Sequence, residues 1–516
     1  MEEKIRKALG TSAGVIKRPP DPAHGDYAVF VGKDAESVAE RMRGKLGVDV
    51  SSVEVAGPGF VNITLSREAV TFAVAEADAK GEAWGRGTEN EGKRIMVEYT
   101  DPNPFKEFHI GHLMSNAIGE GIAGLFEASG AHVSRANYQG DLGVHVAKAI
   151  WGKQQKPEAS WGEAYVWGSE QYETHKEEID TLNKTIYEKT DLAINALYDE
   201  GRAESLEHFE KIYKVLGTKF AFYFFESEVG PIGLEIVKKH PEVFEESDGA
   251  IVFKGEAYGL HTRVFVNSKG LPTYEAKELG LVEAKKKRGD FDISLTVTAN
   301  EISEYFKVVR KAAELVFPDL EGKMLARFHG FLKLTTGKMS SRKGNVITAA
   351  DLISDITKRA SEKNPDPFVA EQVAIGAIKY MILRQAPGSD IIFDPDKSLS
   401  LEGDSGPYLQ YALVRAHSVL SAAPSSSNTG SPKVPYFIER LLLHYPEVVA
   451  RAGRELAPNL LTTYLTELAG AWNSFYAQER IRGGEHEAHK LMLARAFVNT
   501  MQNGLRLLGI PTPEKM

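Results

Sequence analysis

Apolar and polar residues alternate along two stretches near the amino terminus, "YAVFVG" at 27–32 and "FVNITLS" at 60–66, and turns such as "AGPGF" bound them. Period two predicts half-buried strands, and the whole of residues 1–90 reads as a small α/β unit. Next comes "KRIMVEYT", 93–100, a short apolar run that predicts a buried strand, stopped by the prolines of "DPNP". "LMSNAIGEGIAGLFEASG", 113–130, has helical spacing and ends on Gly130, a C′ position. Residues 151–235 are long, charged and helix-like, which predicts an insertion in an α/β core. Strand signals return at "GAIVFKG", "RVFVNS" and "DISLTVTA". Beyond about residue 400 the pattern is almost wholly helical, as in "LAPNLLTTYLTELAGAWNSFYAQERI". One break, "SAAPSSSNTGSPKVP" at 421–435, predicts a flexible Ser/Pro-rich loop.

Length and composition narrow the class. A chain of 516 residues is too long for one core, and at roughly 100–200 residues per domain three or four are expected. Apolar content of 42% and charged content of 26% are ordinary for a folded soluble protein. With no cysteine, disulfides, thiolate zinc sites and a cysteine nucleophile are excluded. The first residues, "MEEKIRKALG", mix acids and bases at helical spacing instead of forming a secretory signal. No window approaches the roughly 18–20 apolar residues of a membrane span, so a cytoplasmic protein that contacts no membrane is expected. The net charge of −9 does not exclude a polyanionic partner, because local basic patches suffice.

Two stretches carry candidate chemistry. In "PFKEFHIGHLMSN", 104–116, a lysine, two histidines and a glycine lie where a strand gives way to a helix. Imidazoles there would stand beside free backbone N–H groups and the positive end of the helix dipole, a setting that attracts phosphate. Gly111 would let a nucleotide come close. The alternative is that His109 and His112 cap the helix or face solvent. Some 220 residues later, "TTGKMSSRKGN", 335–345, places Lys338, Arg342 and Lys343 on a loop suited to a triphosphate.

The pair resembles the HIGH and KMSKS motifs of class I aminoacyl-tRNA synthetases, which hold ATP on a Rossmann-type fold. Within that class the ordered blocks are similar to the arginyl-tRNA synthetase family: "VEYTDPNPFKEFHIGHLMSNAIG", "NYQGDLGVH", "GLPTYEAKELG", "HGFLKL", "GKMSSRKGNVI", "GPYLQYALVRA" and "LRLLGIPTPEKM". "HGDYAVFVG" and "VEVAGPGFVNITLS" look like the additional amino-terminal domain of that family, which touches the tRNA elbow. The resemblance implies arginine activation by ATP with Mg²⁺, then transfer to the 3′-terminal ribose of tRNA(Arg) through its 2′-hydroxyl, by a monomer.

Site roles follow from the same resemblance. His109, His112 and Gly111 meet the ATP phosphates, Lys338 meets the pyrophosphate leaving group, and Gly140, Asp141, Asn300, Met339, Ser340 and Lys343 complete the ATP site. No metal ligand is expected from the protein. Glu98 and Asn103 grip the amino acid, and Tyr274 with Glu278 faces the guanidinium, a planar five-donor cation that needs acids when buried. Tyr476 is the candidate for stacking on an anticodon base, while Trp472 and Phe475 are expected in the core. Arg415 either contacts RNA or braces a junction. "EAKKKRG", 283–289, reads as a solvated helix end or a phosphate contact.

Several positions depart from the family pattern. The loop runs Lys338-Met339-Ser340-Ser341-Arg342 and lacks the second lysine of KMSKS. Lys106, just before HIGH, or Lys343 replaces that charge. Glu278 stands where aspartate is common, His145 where glutamine is, and Glu301 lies in a block that relatives use for ribose and adenine. The expected architecture is an amino-terminal domain over 1–90, a Rossmann catalytic domain over 91–350 with its insertion, a connecting helical region over 351–400 and a helical anticodon-binding domain over 401–516. Three rivals are another adenylate-forming nucleotidyltransferase, a class I enzyme for a different amino acid and an inactive tRNA-binding relative.

Overall fold

The computed structural model describes residues 1–10, 14–335, 347–421 and 430–516. The stretch assigned Lys338, Met339, Ser340, Arg342 and Lys343 lies outside the described residues, as does most of the Ser/Pro-rich stretch.

The two alternating stretches at the amino terminus form neighbouring antiparallel strands, Tyr27–Phe30 and Phe60–Leu65, in a four-stranded sheet completed by Val15–Lys17 and Val50–Ala56. Tyr27, Val29, Val61 and Ile63 point inward, against Ile5 of helix Glu2–Leu9 and Val38 and Met42 of helix Ala35–Leu46. Alternation thus translates directly into one buried face.

The central sheet has five parallel strands, in spatial order Met324–His329, Ile293–Ala299, Arg94–Glu98, His132–Gln139 and Phe222–Phe225. Numbered along the chain this is the doubly wound 3-2-1-4-5 arrangement, which opens a crevice at the carboxyl ends where the order reverses. That reversal falls between Arg94–Glu98 and Ile293–Ala299. Helix Ile110–Ala128 covers the crevice floor, and it approaches the sheet closely because a Cβ on Gly119 would stand 2.2 Å from the Tyr99 ring.

Three boundaries differ from the pattern-based expectation. The insertion consists of helices running from Val144–Gln155 to Leu192–Leu216, and Phe222–Phe225 returns to the sheet as its edge strand instead of belonging to the insertion. Its sequence, FYFF, is apolar throughout and shows no alternation that would reveal it. The strands Ala250–Phe253 and Arg263–Val266 build a separate antiparallel sheet with Glu245–Ser247. The connecting region is not wholly helical, since Ile391–Phe393 pairs in parallel with Leu332–Leu334 and rejoins the α/β part.

The carboxy-terminal part is helical, from Gly406–Leu420 to Glu487–Leu507. The amino-terminal unit docks on it through polar contacts. Arg67 makes a bidentate pair with the buried Glu439 at 2.8 and 2.9 Å, Arg440 reaches Asp26 at 2.7 Å, and Arg495 reaches Asp78 at 2.7 Å. Among the described residues no helix is long and apolar enough to cross a membrane.

Candidate active site

The strand Arg94–Glu98 runs into a turn whose backbone is strained. Thr100, Asp101 and Phe105 have φ of 80°, 47° and 69°, each costing of order 1–3 kcal/mol in a non-glycine residue. Surrounding groups hold the turn in place. Ser115 Oγ accepts the Thr100 N–H at 3.0 Å, Asp101 Oδ1 accepts the Tyr138 N–H at 2.8 Å, and Ser205 Oγ accepts the Phe105 N–H at 2.9 Å. The prolines of "DPNP" announced the strand's end and gave no sign of this strain.

The turn delivers His109 as the N-cap of helix Ile110–Ala128. His109 Nδ1 accepts the Gly111 N–H at 3.1 Å, and His112 Nδ1 accepts the His109 N–H at 3.2 Å, so the two imidazoles form a reciprocal capping box. Their rings stack with centroids 3.6 Å apart. Gly111 makes room for this, since a Cβ there would stand 2.9 Å from His109 Cε1. Burial lowers the pKa of His109, and the Lys106 charge adds to the effect; burial lowers His112 further, helped by His109 and Lys106. Both rings are therefore neutral near pH 7 with Nδ1 as acceptor, which puts the proton of each on Nε2. The capping and phosphate readings use different nitrogens of the same rings.

Ile347 and Ala349 are tied to this turn. Ala349 N–H donates to Phe108 O at 2.8 Å and Ile110 N–H to Ile347 O at 3.2 Å.

Beside the turn lies a cluster of acidic side chains. Glu98, 2% exposed, ends its strand 2.7 Å from Lys285 Nζ and accepts from Thr296 Oγ1 at 3.2 Å. Glu226 pairs with Lys277 at 2.8 Å. Burial pulls Lys277 down, but Glu226 outweighs it and holds the ammonium above its ordinary value. Asp101 and Glu278 have no cationic partner within ion-pair distance among the described residues. Burial raises the Asp101 carboxyl well above the carboxylate range and Glu98 adds to the rise. Glu278 is pushed up to about 8 by burial and by Glu98, against the pull of Lys285. Helix Tyr274–Arg288, which carries Lys277, Glu278 and Lys285, packs tightly on helix Glu226–Lys239, because Gly233 and Gly280 lack side chains where a Cβ would meet Ala276 O at 1.8 Å and Val229 O at 2.0 Å.

Other expected residues are distributed as follows. Asn103 lies against Gly140, where a Cβ would be 2.2 Å from Asn103 Oδ1 and 3.5 Å from Glu226 Cδ. Tyr274 is the first residue of the helix that carries Glu278 and is 64% exposed. His145 contacts the Gly140 carbonyl at 2.8 Å and is pushed down to about 4 by burial and Lys106. The fully buried Asp141 carboxylate accepts from Tyr198, Arg202 and Ser227 at 2.7–3.0 Å. Asn300 donates to Gly388 O at 2.9 Å, keeping its own carbonyl oxygen for a ligand. Within "EAKKKRG", Lys285 is neither solvated nor a phosphate contact, because it turns inward to Glu98.

In the helical part, Trp472 and Phe475 are buried and Tyr476 is 38% exposed. Arg415 stacks on Tyr476 at 4.3 Å and bonds Asn473 at 3.3 Å, so the two candidate RNA contacts share one surface. Arg482 Nε donates to Val419 O at 2.8 Å.

Asp101, Glu226 and Lys277 were not singled out by sequence reasoning. A single charged residue in a helix or turn carries no mark of the face it occupies.

A parallel sheet in this order, with paired imidazoles at its switch point and a helical domain behind it, has the architecture of a class I aminoacyl-tRNA synthetase. Residues 75–395 match the family described as tRNA synthetases class I (R), catalytic domain, residues 409–516 match the DALR anticodon binding domain, and residues 1–65 match the arginyl tRNA synthetase N terminal domain. The chain belongs to the class I (R) tRNA synthetase family. It is 29% identical to an arginine–tRNA ligase of Clostridium beijerinckii, covering 97% of this chain and 96% of the relative. It is 28% identical to that of Clostridium perfringens, covering 100% and 98%. The arginyl-tRNA synthetase of Thermus thermophilus superposes with a TM-score of 0.83 at 25% identity, covering 100% of this chain and 99% of that one.

Proposed function

We propose that the chain is an arginine–tRNA ligase, which activates L-arginine with ATP to arginyl-adenylate and pyrophosphate and then charges tRNA(Arg). The observation that carries this reading is the cluster of four carboxyls, Glu98, Asp101, Glu226 and Glu278, with two internal cations, Lys277 and Lys285. Among the described residues Asp101 and Glu278 have no cation within ion-pair distance, and free arginine brings two cationic groups, an ammonium and a guanidinium. The family match and the relatives' names agree with this choice of amino acid.

In this reading the arginine carboxylate attacks the α-phosphorus of ATP. Neutral His109 and His112 donate from Nε2 to phosphate oxygens, and Lys106 with Lys338 or Lys343 offsets the charge that accumulates on pyrophosphate. Gly111, Gly140, Asn300, Met339 and Ser340 complete the ATP site, Asn103 orients the amino acid, and Tyr274 closes over the guanidinium. Mg²⁺ arrives with ATP, held chiefly by its phosphate oxygens. Tyr476 and Arg415 offer a stacking surface to the anticodon loop. The enzyme works as a cytoplasmic monomer with a domain plan close to the one read from the sequence. Pyrophosphate exchange with each amino acid in turn, with and without tRNA, tests the reading: exchange that requires arginine supports it, and exchange with another amino acid or with none overturns it.

Arginine binding should release protons. A guanidinium beside Glu278 favours the ionised carboxyl, whereas the free site holds that carboxyl protonated up to about pH 8. Below that value each binding event expels a proton, so affinity rises with pH, by up to about tenfold per unit, and levels off above it. The KM for arginine between about pH 6 and 9 checks the slope, and Glu278→Gln should flatten it.

A further inference from the structure

Phe105, Lys106 and Glu107, which precede Phe108 and the HIGH turn, all dock on the insertion. The Phe105 ring, fully buried, meets Trp161 edge-on at 5.3 Å and Tyr198 at 5.8 Å. Glu107 lies over Gly162, where a Cβ would stand 2.1 Å from Glu107 Oε1. Between them Lys106 places its ammonium 5.0 Å from the centre of the Tyr165 ring. Trp161, Gly162 and Tyr165 belong to one helix, Trp161–Glu170, whose start is set by a capping box of Ser160 and Glu163. Trp161 and Tyr165 are four residues apart and share a face, so the contact that locks Phe105 also fixes where the Tyr165 ring stands.

Lys106 has no carboxylate within ion-pair distance among the described residues. An aromatic face suits a lysine that must keep its charge available. A carboxylate would cancel the field that phosphates are to feel, whereas a ring attracts the ammonium through its quadrupole and leaves the charge in place. The charge does reach the imidazoles, since Lys106 contributes to lowering His109, His112 and His145.

We propose that Tyr165 is the positioning residue for Lys106, and that helix Trp161–Glu170 of the insertion belongs to the amino-acid activation machinery by holding that ammonium at the phosphate site. The inference rests on the ATP-dependent activation proposed above. The ring's π face does the work, and its hydroxyl is dispensable.

The test is arginine-dependent pyrophosphate exchange by the full chain. Tyr165→Leu should lower kcat about tenfold, the scale of a lost cation–π contact, with the KM for arginine little changed. Tyr165→Phe should restore the rate. Lys106→Met should lose about a hundredfold or more, and adding Y165L to it should cost nothing further, because the ring then has no ammonium to hold. Tyr165→Gln, suited to a half-exposed position, replaces Y165L if that variant unfolds on heating below the wild type. Wild-type rates in Y165L or Y165Q, equal losses in Y165F and Y165L, or additive losses with K106M each overturn the proposal. If the unaltered chain shows no arginine-dependent exchange, it is the functional reading that fails. If K106M keeps full activity, the role of Lys106, and with it that of Tyr165, is overturned while the reading stands.

Discussion

Glu98→Gln is expected to reduce kcat/KM for arginine in pyrophosphate exchange by about two to three orders of magnitude, with the KM for ATP little affected. The substitution is nearly isosteric and removes only charge. Two cations depend on that charge: the substrate's, in the proposed site, and that of Lys285, whose Nζ stands 2.7 Å away with 4% of the residue exposed. Truncating one partner of a buried, hydrogen-bonded charge pair costs about 2–5 kcal/mol, much of it the penalty of the stranded partner. The variant should therefore also lose stability, measurable as a lower denaturant midpoint. A second substitution separates the two effects. In E98Q/K285M no cation is stranded, so most of the stability should return while arginine activation stays low. Recovery of activation in that double variant would mean that Glu98 serves Lys285 alone and does not grip the amino acid.

The second large effect lies far from the site. Arg67→Ala should cost about 3–5 kcal/mol of stability, since it leaves the fully buried Glu439 without its bidentate partner. Among the described residues Glu439 would keep only His489 at 2.8 Å and the Tyr436 N–H at 2.7 Å. The contact joins the amino-terminal unit to the helical part, so protease cleavage between them should become faster as well. R67A/E439Q should be less destabilised than R67A. There is a pH signature too. Burial raises the Glu439 carboxyl, but His489 and Arg67 outweigh it and hold the group below its ordinary value. A carboxyl with a lowered folded-state pKa stabilises above its unfolded value and loses that contribution as pH falls through the folded one. Acid should therefore narrow the gap between wild type and R67A; an unchanged gap between neutral pH and about pH 3 would contradict this account.

The local elements were legible in the chain. Alternation marked Tyr27–Phe30 and Phe60–Leu65, the buried run marked Arg94–Glu98, and the spacing after "HIGH" marked helix Ile110–Ala128 with Gly130 just past its end at φ 91°. These signals are short-range, because a strand or helix writes its own period into neighbouring residues. Trp472 and Phe475 were read as core on the same grounds and are buried. The capping and phosphate readings of His109 and His112 were left open, since spacing cannot say which nitrogen does what.

By itself, then, the chain's order of residues determined most of the elements, the family and the set of side chains from which a site can be built. Only the tertiary structure decided which charges meet. It turned one lysine of the "KKKR" run inward to Glu98, surrounded Asp141 with three partner side chains, and gathered Asp101, Glu226 and Lys277 into a cluster that no stretch of sequence announces. The reason is that a charge's behaviour depends on its burial and its nearest opposite charge, and in a doubly wound sheet both come from elements far apart in the chain.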